Sequence, residues 1–102
     1  MIRERVLHAG GYGMRCAMND GSVVDTKRAK LSYQSQGAGD DWHWQVLHLS
    51  SKGRWYVGYL TCVDGERDYA EYVSREEAAR WLIEAGHELP EELRGVDASI
   101  IE

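Results

Sequence analysis

The stretch WHWQVLHLSSKGRWYVGYL, residues 42–60, carries three tryptophans, two tyrosines and two histidines in nineteen positions. It has the composition of two strands joined at SSKGR, and the alternation of side chains along a strand gives each of its faces a share of large apolar groups. An antiparallel sheet with one wet face should alternate hydrophobic with polar residues, and this ribbon does not. Whatever the chain folds into must therefore shelter both sides of its central hairpin. Three Trp and two Tyr bury about 150–250 Å² each when covered. At about 25 cal/mol per Å² that is worth roughly 20 kcal/mol before entropic and polar costs. An exposed patch of that size exceeds the few hundred Å² usual for a small monomer.

Register decides which residues share a face. If Lys52-Gly53 forms a two-residue turn, Leu49 faces Tyr56 and Leu47 faces Gly58; a second two-residue turn at Asp64-Gly65 sets Leu60 beside Tyr69 and Tyr56 beside Val73. One face then holds His43, Leu47, Leu49, Tyr56, Gly58, Leu60, Cys62, Tyr69 and Val73. The other holds Trp42, Trp44, Val46, His48, Trp55, Val57, Tyr59, Ala70 and Tyr72. The first, with Gly58 at its centre, suits the close approach of a helix. The second needs another cover: the N-terminal strands, a second copy of the chain in a homodimer, or a foreign partner. A slip of one residue at either turn would exchange the faces.

The helix is the firmest local expectation. In SREEAARWLIEAGHELP, Ser74 can cap an N-terminus while Glu77 reaches back from the capping-box position. Ala78, Trp81, Leu82 and Ala85 fall on one side, while Glu76, Arg80 and Glu84 stand four apart on the other, where weak ion pairs are expected. Gly86 is the expected left-handed stop. Residues 74–86 are thus read as helix, residues 42–73 as a three-stranded meander, and residues 87–102 as a short turn at Pro90 and a loose tail. Earlier in the chain, RVLHA and GMRCAM read as short strands broken at Gly10 and Gly11. VVDTKRAKLSYQ reads as strand, Asp/Thr-initiated turn and strand, and SQGAGDD at 35–41 as a connector.

The 102 residues make one domain, 1–102. With no Phe, four Trp and six Tyr, the aromatic rings carry polar handles suited to half-buried surfaces. The net charge of −5 is uneven: the acidic residues concentrate after position 63 and the basic ones before it. That balance disfavours duplex nucleic acid, whose binding needs a basic surface to displace counterions. The apolar run at the N-terminus is too short for a signal peptide or a membrane span. Two cysteines far apart, Cys16 and Cys62, do not establish a disulfide from sequence and read first as reduced thiols, and the expected location is cytoplasmic.

Chemistry is sparsely signalled. His8, Cys16, His43, His48, Cys62 and His87 could ligate a metal, but none are paired at the close spacing of a zinc site, so neither metal nor other cofactor is expected. Cys62 opposite His43 would be a thiol–imidazole pair, yet on a face expected beneath the helix it reads as structural. HAGGYGMR lacks the ending of a phosphate loop. Aromatic rings interleaved with cations resemble single-strand-binding surfaces, with Lys52 and Arg54 as the basic residues of that alternative.

Three fragments, VDTKRAKL (24–31), LHLSSKGRWYV (47–57) and VSREEAARWL (73–82), follow one another in an order that resembles a loose group of small uncharacterised proteins from phages and other bacterial mobile elements. In that group a D-T-x-x-A turn precedes a hairpin of the L-Y-R-T-x-x-G-x-Y-F type and a helix with E-E-A-x-x-W. The similarity spans residues 23–83. His48 and Leu49 depart from it, standing where the pattern has Tyr and Arg. The resemblance implies no catalytic residues. It implies an accessory setting in which small acidic proteins bind and block host machines, anti-CRISPR-like inhibitors of defence proteins among them.

The expectation is therefore an α+β fold, an antiparallel meander of four to five strands packed on one C-terminal helix. Its expected role is a non-enzymatic protein-interaction module. Trp42, Trp44, Trp55 and Tyr59 are the expected aromatic anchors. Glu76, Glu84, Glu88, Glu91 and Glu92 form the expected acidic surface.

Overall fold

A computed structural model describes residues 14–35, 42–96 and 100. His8, the Gly10-Gly11 pair, RVLHA and most of SQGAGDD lie outside those residues. The fold is α+β. Strands β1 (Arg15–Ala17) and β2 (Val23–Asp25) form an antiparallel hairpin. Strands β3 (Leu31–Gln34), β4 (His43–Leu49), β5 (Trp55–Thr61) and β6 (Tyr69–Tyr72) form a four-stranded antiparallel meander in that order. Helix α1 (Arg75–Glu84) follows, then a single 3-10 turn at Glu91–Leu93.

Local chemistry accounts for the punctuation. The Asp25 carboxylate accepts from the Lys27 backbone N–H at 3.0 Å and opens a 3-10 turn over Thr26–Arg28, which links β2 to β3. Ser74 accepts from Glu77 N–H while Glu77 accepts from Ser74 N–H, so the expected capping box is complete. Gly86 closes the helix with φ +84°, a conformation that penalises any side chain.

The β4–β5 turn differs from expectation, and the difference reorganises the sheet. A two-residue type I′ turn would need Lys52 at positive φ, and no described residue other than glycine adopts positive φ. Gly53, at φ +86°, instead ends a three-residue loop: Gly53 N–H donates to Ser50 O, and Ser50 N–H to Arg54 O at 2.8 Å. Leu49 therefore faces Trp55, not Tyr56, and Leu47 faces Val57, not Gly58. The β5–β6 pairing is also displaced by one, with Tyr59 opposite Tyr69 and Tyr56 opposite Tyr72. Gly65, at φ +89°, takes the left-handed position alone, in a turn closed by Glu66 N–H donating to Val63 O.

The slip trades β5's faces, as the period of two requires. Leu47, Leu49, Trp55 and Val57 lie under α1 and pack with Ala78, Ala79, Leu82, Leu93 and Val96. The single tryptophan-rich face expected from the sequence does not form. Trp55, only 4% exposed, belongs to the helix-side core, whereas Trp44 packs on the other side with Val46, Leu60 and Met14. On that second side, Tyr56 is fully buried beneath Met18 and Val24 of the N-terminal hairpin segment. Gly58 lies there too, leaving room for the Met14 methyl rather than for the helix. Of the three covers considered, the chain's own opening segment closes this face. The expected loose tail is corrected as far as residue 96: Leu93 is 0% exposed and Val96 is buried beside it.

The hairpin side is the more polar of the two. His48, 2% exposed, shares a 2.7 Å hydrogen bond with Ser32 Oγ and stacks on Tyr56. Burial pulls its pKa down to about 4, so the ring is neutral in the folded chain at neutral pH. Burial first, and then the Asp25 charge, push the Tyr56 phenol up to about 12, and among the described residues its hydroxyl has no hydrogen-bond partner.

Candidate functional site

The covered faces still leave an open place among the described residues. Where the start of β4 and the end of β5 meet the C-terminal end of α1 lies a cleft of about 750 Å³. The sheet supplies His43, Gln45, Tyr59, Thr61 and Tyr69. The helix supplies Trp81, Glu84 and Ala85, and the β5–β6 connection adds Glu66 and Arg67. Corrected register is what assembles it, because Gln45 stands opposite Tyr59, and Tyr59 opposite Tyr69, on the helix-side face.

Each wall is held by specific contacts. Tyr59 and Tyr69 stack with centroids 4.8 Å apart and planes 18° from parallel. Trp81 Nε1–H donates to Gln45 Oε1 at 2.8 Å across thirty-six residues of sequence, tying helix to sheet at the cleft. His87 backs the indole in a stacked arrangement and donates from Nε2 to Gln34 O at 2.9 Å. These bonds fix Trp81 before any ligand arrives, which lowers the ordering cost of binding.

A polar cluster marks the cleft's far edge. Glu66 Oε1 accepts from Thr61 Oγ1 at 2.6 Å and from His43 Nε2 at 2.7 Å. A nucleophilic triad would run hydroxyl to imidazole to carboxylate. Here both donors end on the same carboxylate oxygen, so the imidazole does not take the Thr61 proton. With Thr61 N–H donating to Asp68 Oδ1, this cluster orders the β5–β6 connection. Cys62 and His43 are not cross-strand partners: His43 pairs with Thr61, and Cys62 N–H donates to Trp42 O. Cys16 and Cys62 are not joined in a disulfide. Among the described residues, no group of three His, Cys, Asp or Glu side chains is placed to hold a metal, and no helix is long and apolar enough to cross a membrane.

The sequence-predicted residues scatter over this geometry. Tyr59, Trp44 and Glu84 border the cleft, although register sends the Trp44 side chain to the hairpin side. Trp42, 57% exposed, immediately precedes the cleft's His43. Trp55 is sealed in the core. Glu76, Glu88, Glu91 and Glu92 are exposed but do not border the cleft. The expected ion pairing of Glu76 and Glu84 with Arg80 is not formed; among the described residues neither carboxylate has a basic partner within 4 Å.

Lys52 and Arg54 sit at the opposite end of the seven-residue strand pair, roughly 20 Å from the cleft at about 3.3 Å per residue. Arg54 is also engaged, 2.9 Å from Asp20 and 3.5 Å above the Tyr72 ring. The cations of the nucleic-acid alternative thus do not share a surface with the exposed cleft rings. Sequence reasoning missed Gln45, Tyr69 and Arg67, and took Trp81 for core alone. A three-residue loop at Ser51-Lys52-Gly53, had it been assumed, would have aligned Gln45 with Tyr59, while Tyr69 joins them only through the second displacement, between β5 and β6.

No known family model matches the chain, and neither a curated protein nor a solved structure is significantly similar to it.

Proposed function

We propose that this protein is a non-enzymatic interaction module that binds another protein through the cleft between α1 and the β4–β5–β6 sheet. One observation carries the reading: the fold covers both faces of its aromatic ribbon except at one end, where Tyr59, Tyr69 and Trp81 line an open cavity. Rings of this kind, already braced by stacking and hydrogen bonds, are the residue types that anchor protein contacts. The sequence resemblance supplies the setting. The module acts in a bacterial or phage cytoplasm as an inhibitor of a host or defence protein, in the manner of anti-CRISPR proteins.

Affinity capture from the native host tests this with three forms of the chain. The native protein and Arg54→Ala should retain the same partner. Tyr69→Ala combined with Glu84→Ala should lose it, with an unchanged circular dichroism spectrum. Equal retention by the double variant would overturn the cleft as the contact surface, and loss by Arg54→Ala would move the contact to the hairpin tip.

A further inference from the structure

We infer that the cleft is built to receive a cationic side chain, arginine or lysine, from an exposed segment of the partner, held between the tyrosine pair and Glu84. This rests on the proposed cleft reading and adds the chemistry of what enters.

The argument comes from which charges in and around the cleft are already satisfied. Glu66 is engaged by Thr61 and His43. Glu77 is engaged in the helix cap. Glu84 on the helix side and Glu71 beside Tyr59 are exposed, and among the described residues neither has a basic partner within 4 Å. Burial raises the Tyr59 phenol's pKa, and the neighbouring Glu71, Tyr69 and Glu77 raise it further.

Aromatic rings beside carboxylates that carry no ion pair favour a cation twice over, through the ring quadrupole and through Coulomb attraction. Among the described residues Arg67, on the β5–β6 connection, is the one Lys or Arg that borders the cleft, and it makes no ion pair with Glu84 within 4 Å. The cavity is open and large for a single ion, which fits a side chain delivered on a chain segment.

Capped pentapeptides with two arginines, two norleucines or two glutamates, spaced by glycine, are the probes for an NMR titration. The readout is the Trp81 indole N–H with the backbone amides of Gln45, Tyr59 and Tyr69. The arginine peptide should shift all four, more weakly as salt rises from about 50 to about 300 mM. Glu84→Gln should lower its affinity at least about threefold. Equal shifts from the norleucine peptide would overturn the cationic inference and leave an apolar contact cleft. Preference for the glutamate peptide would reassign the cleft to Arg67 and anionic segments. No shift from any peptide would also overturn the inference, while partner capture by the Tyr69 and Glu84 double variant decides the cleft reading independently.

Discussion

The two faces of the central sheet are closed by different chemistry. Under α1 the cover is apolar and closely packed: Leu47, Leu49, Trp55, Val57, Leu82 and Leu93 meet with almost no exposed surface. Under the N-terminal hairpin the contact is aromatic and polar, with His48, Tyr56, Ser32 and Thr26 sharing space with Met18 and Val24. A dry face draws its stability from area and packing, which pH scarcely touches. A face with a buried imidazole and a buried phenol carries desolvation costs that titrate or can be removed. The helix side should therefore dominate stability, and the hairpin side should set its response to acid.

The largest effect belongs to the dry face. Leu82→Ala should cost about 2–5 kcal/mol in urea unfolding, because it leaves a cavity where α1 meets the sheet. Val24→Ala on the hairpin side should cost less; an equal or greater loss would break the ranking of the two faces.

Acid comes next. The unfolded chain protonates a histidine near pH 6.5, whereas folded His48 does so only near pH 4, so the unfolded state binds more protons between those values. Stability is full above 6.5 and falls as pH drops toward 4, by on the order of 3 kcal/mol at about 1.4 kcal/mol per unit. His48→Leu should flatten that slope. The Asp20 carboxylate, held down to about 2 by hydrogen bonds from Ser22 and Arg54, acts in a separate window, its share lost only as pH falls from about 3.8 toward 2.

Smaller still is the helix cap. Ser74→Ala should cost about 1 kcal/mol, read as a shifted unfolding midpoint. The smallest change should be Tyr56→Phe, which removes a buried hydroxyl that has no hydrogen-bond partner among the described residues. It should be neutral or stabilising by up to about 1 kcal/mol, and a clear destabilisation would reveal a hydrogen bond on the hairpin side.

How much of this was legible follows from range. The capping box, Gly86 and the Asp25-Thr26 turn are written within a few consecutive residues, and sequence reasoning reaches them directly. The meander was legible for the same reason, since its turn glycines punctuate it. Its register was not. Lys52-Gly53 serves equally as two central residues of a tight turn or as the end of a longer loop, and only the second lets Lys52 keep negative φ. That single residue sent Trp55 to the helix side and left Tyr56 under the hairpin, so the anchors Trp44 and Trp55 were separated. The cleft was harder still, because Trp81 and Gln45 meet only once helix and sheet have docked. Its acidic member Glu84 was legible as an exposed helix residue, without any sign of which rings it would face.

Hydrogen exchange on the protein bound to its captured partner tests most directly whether the open end of the sheet is where it binds. Protection should appear at His43–Gln45, Tyr59–Thr61 and the segment from Glu66 to Tyr69, and be absent from β1, β2 and Lys52–Arg54. A footprint centred on the N-terminal hairpin or on the Lys52–Arg54 tip, with the cleft exchanging as in the free protein, would contradict the account.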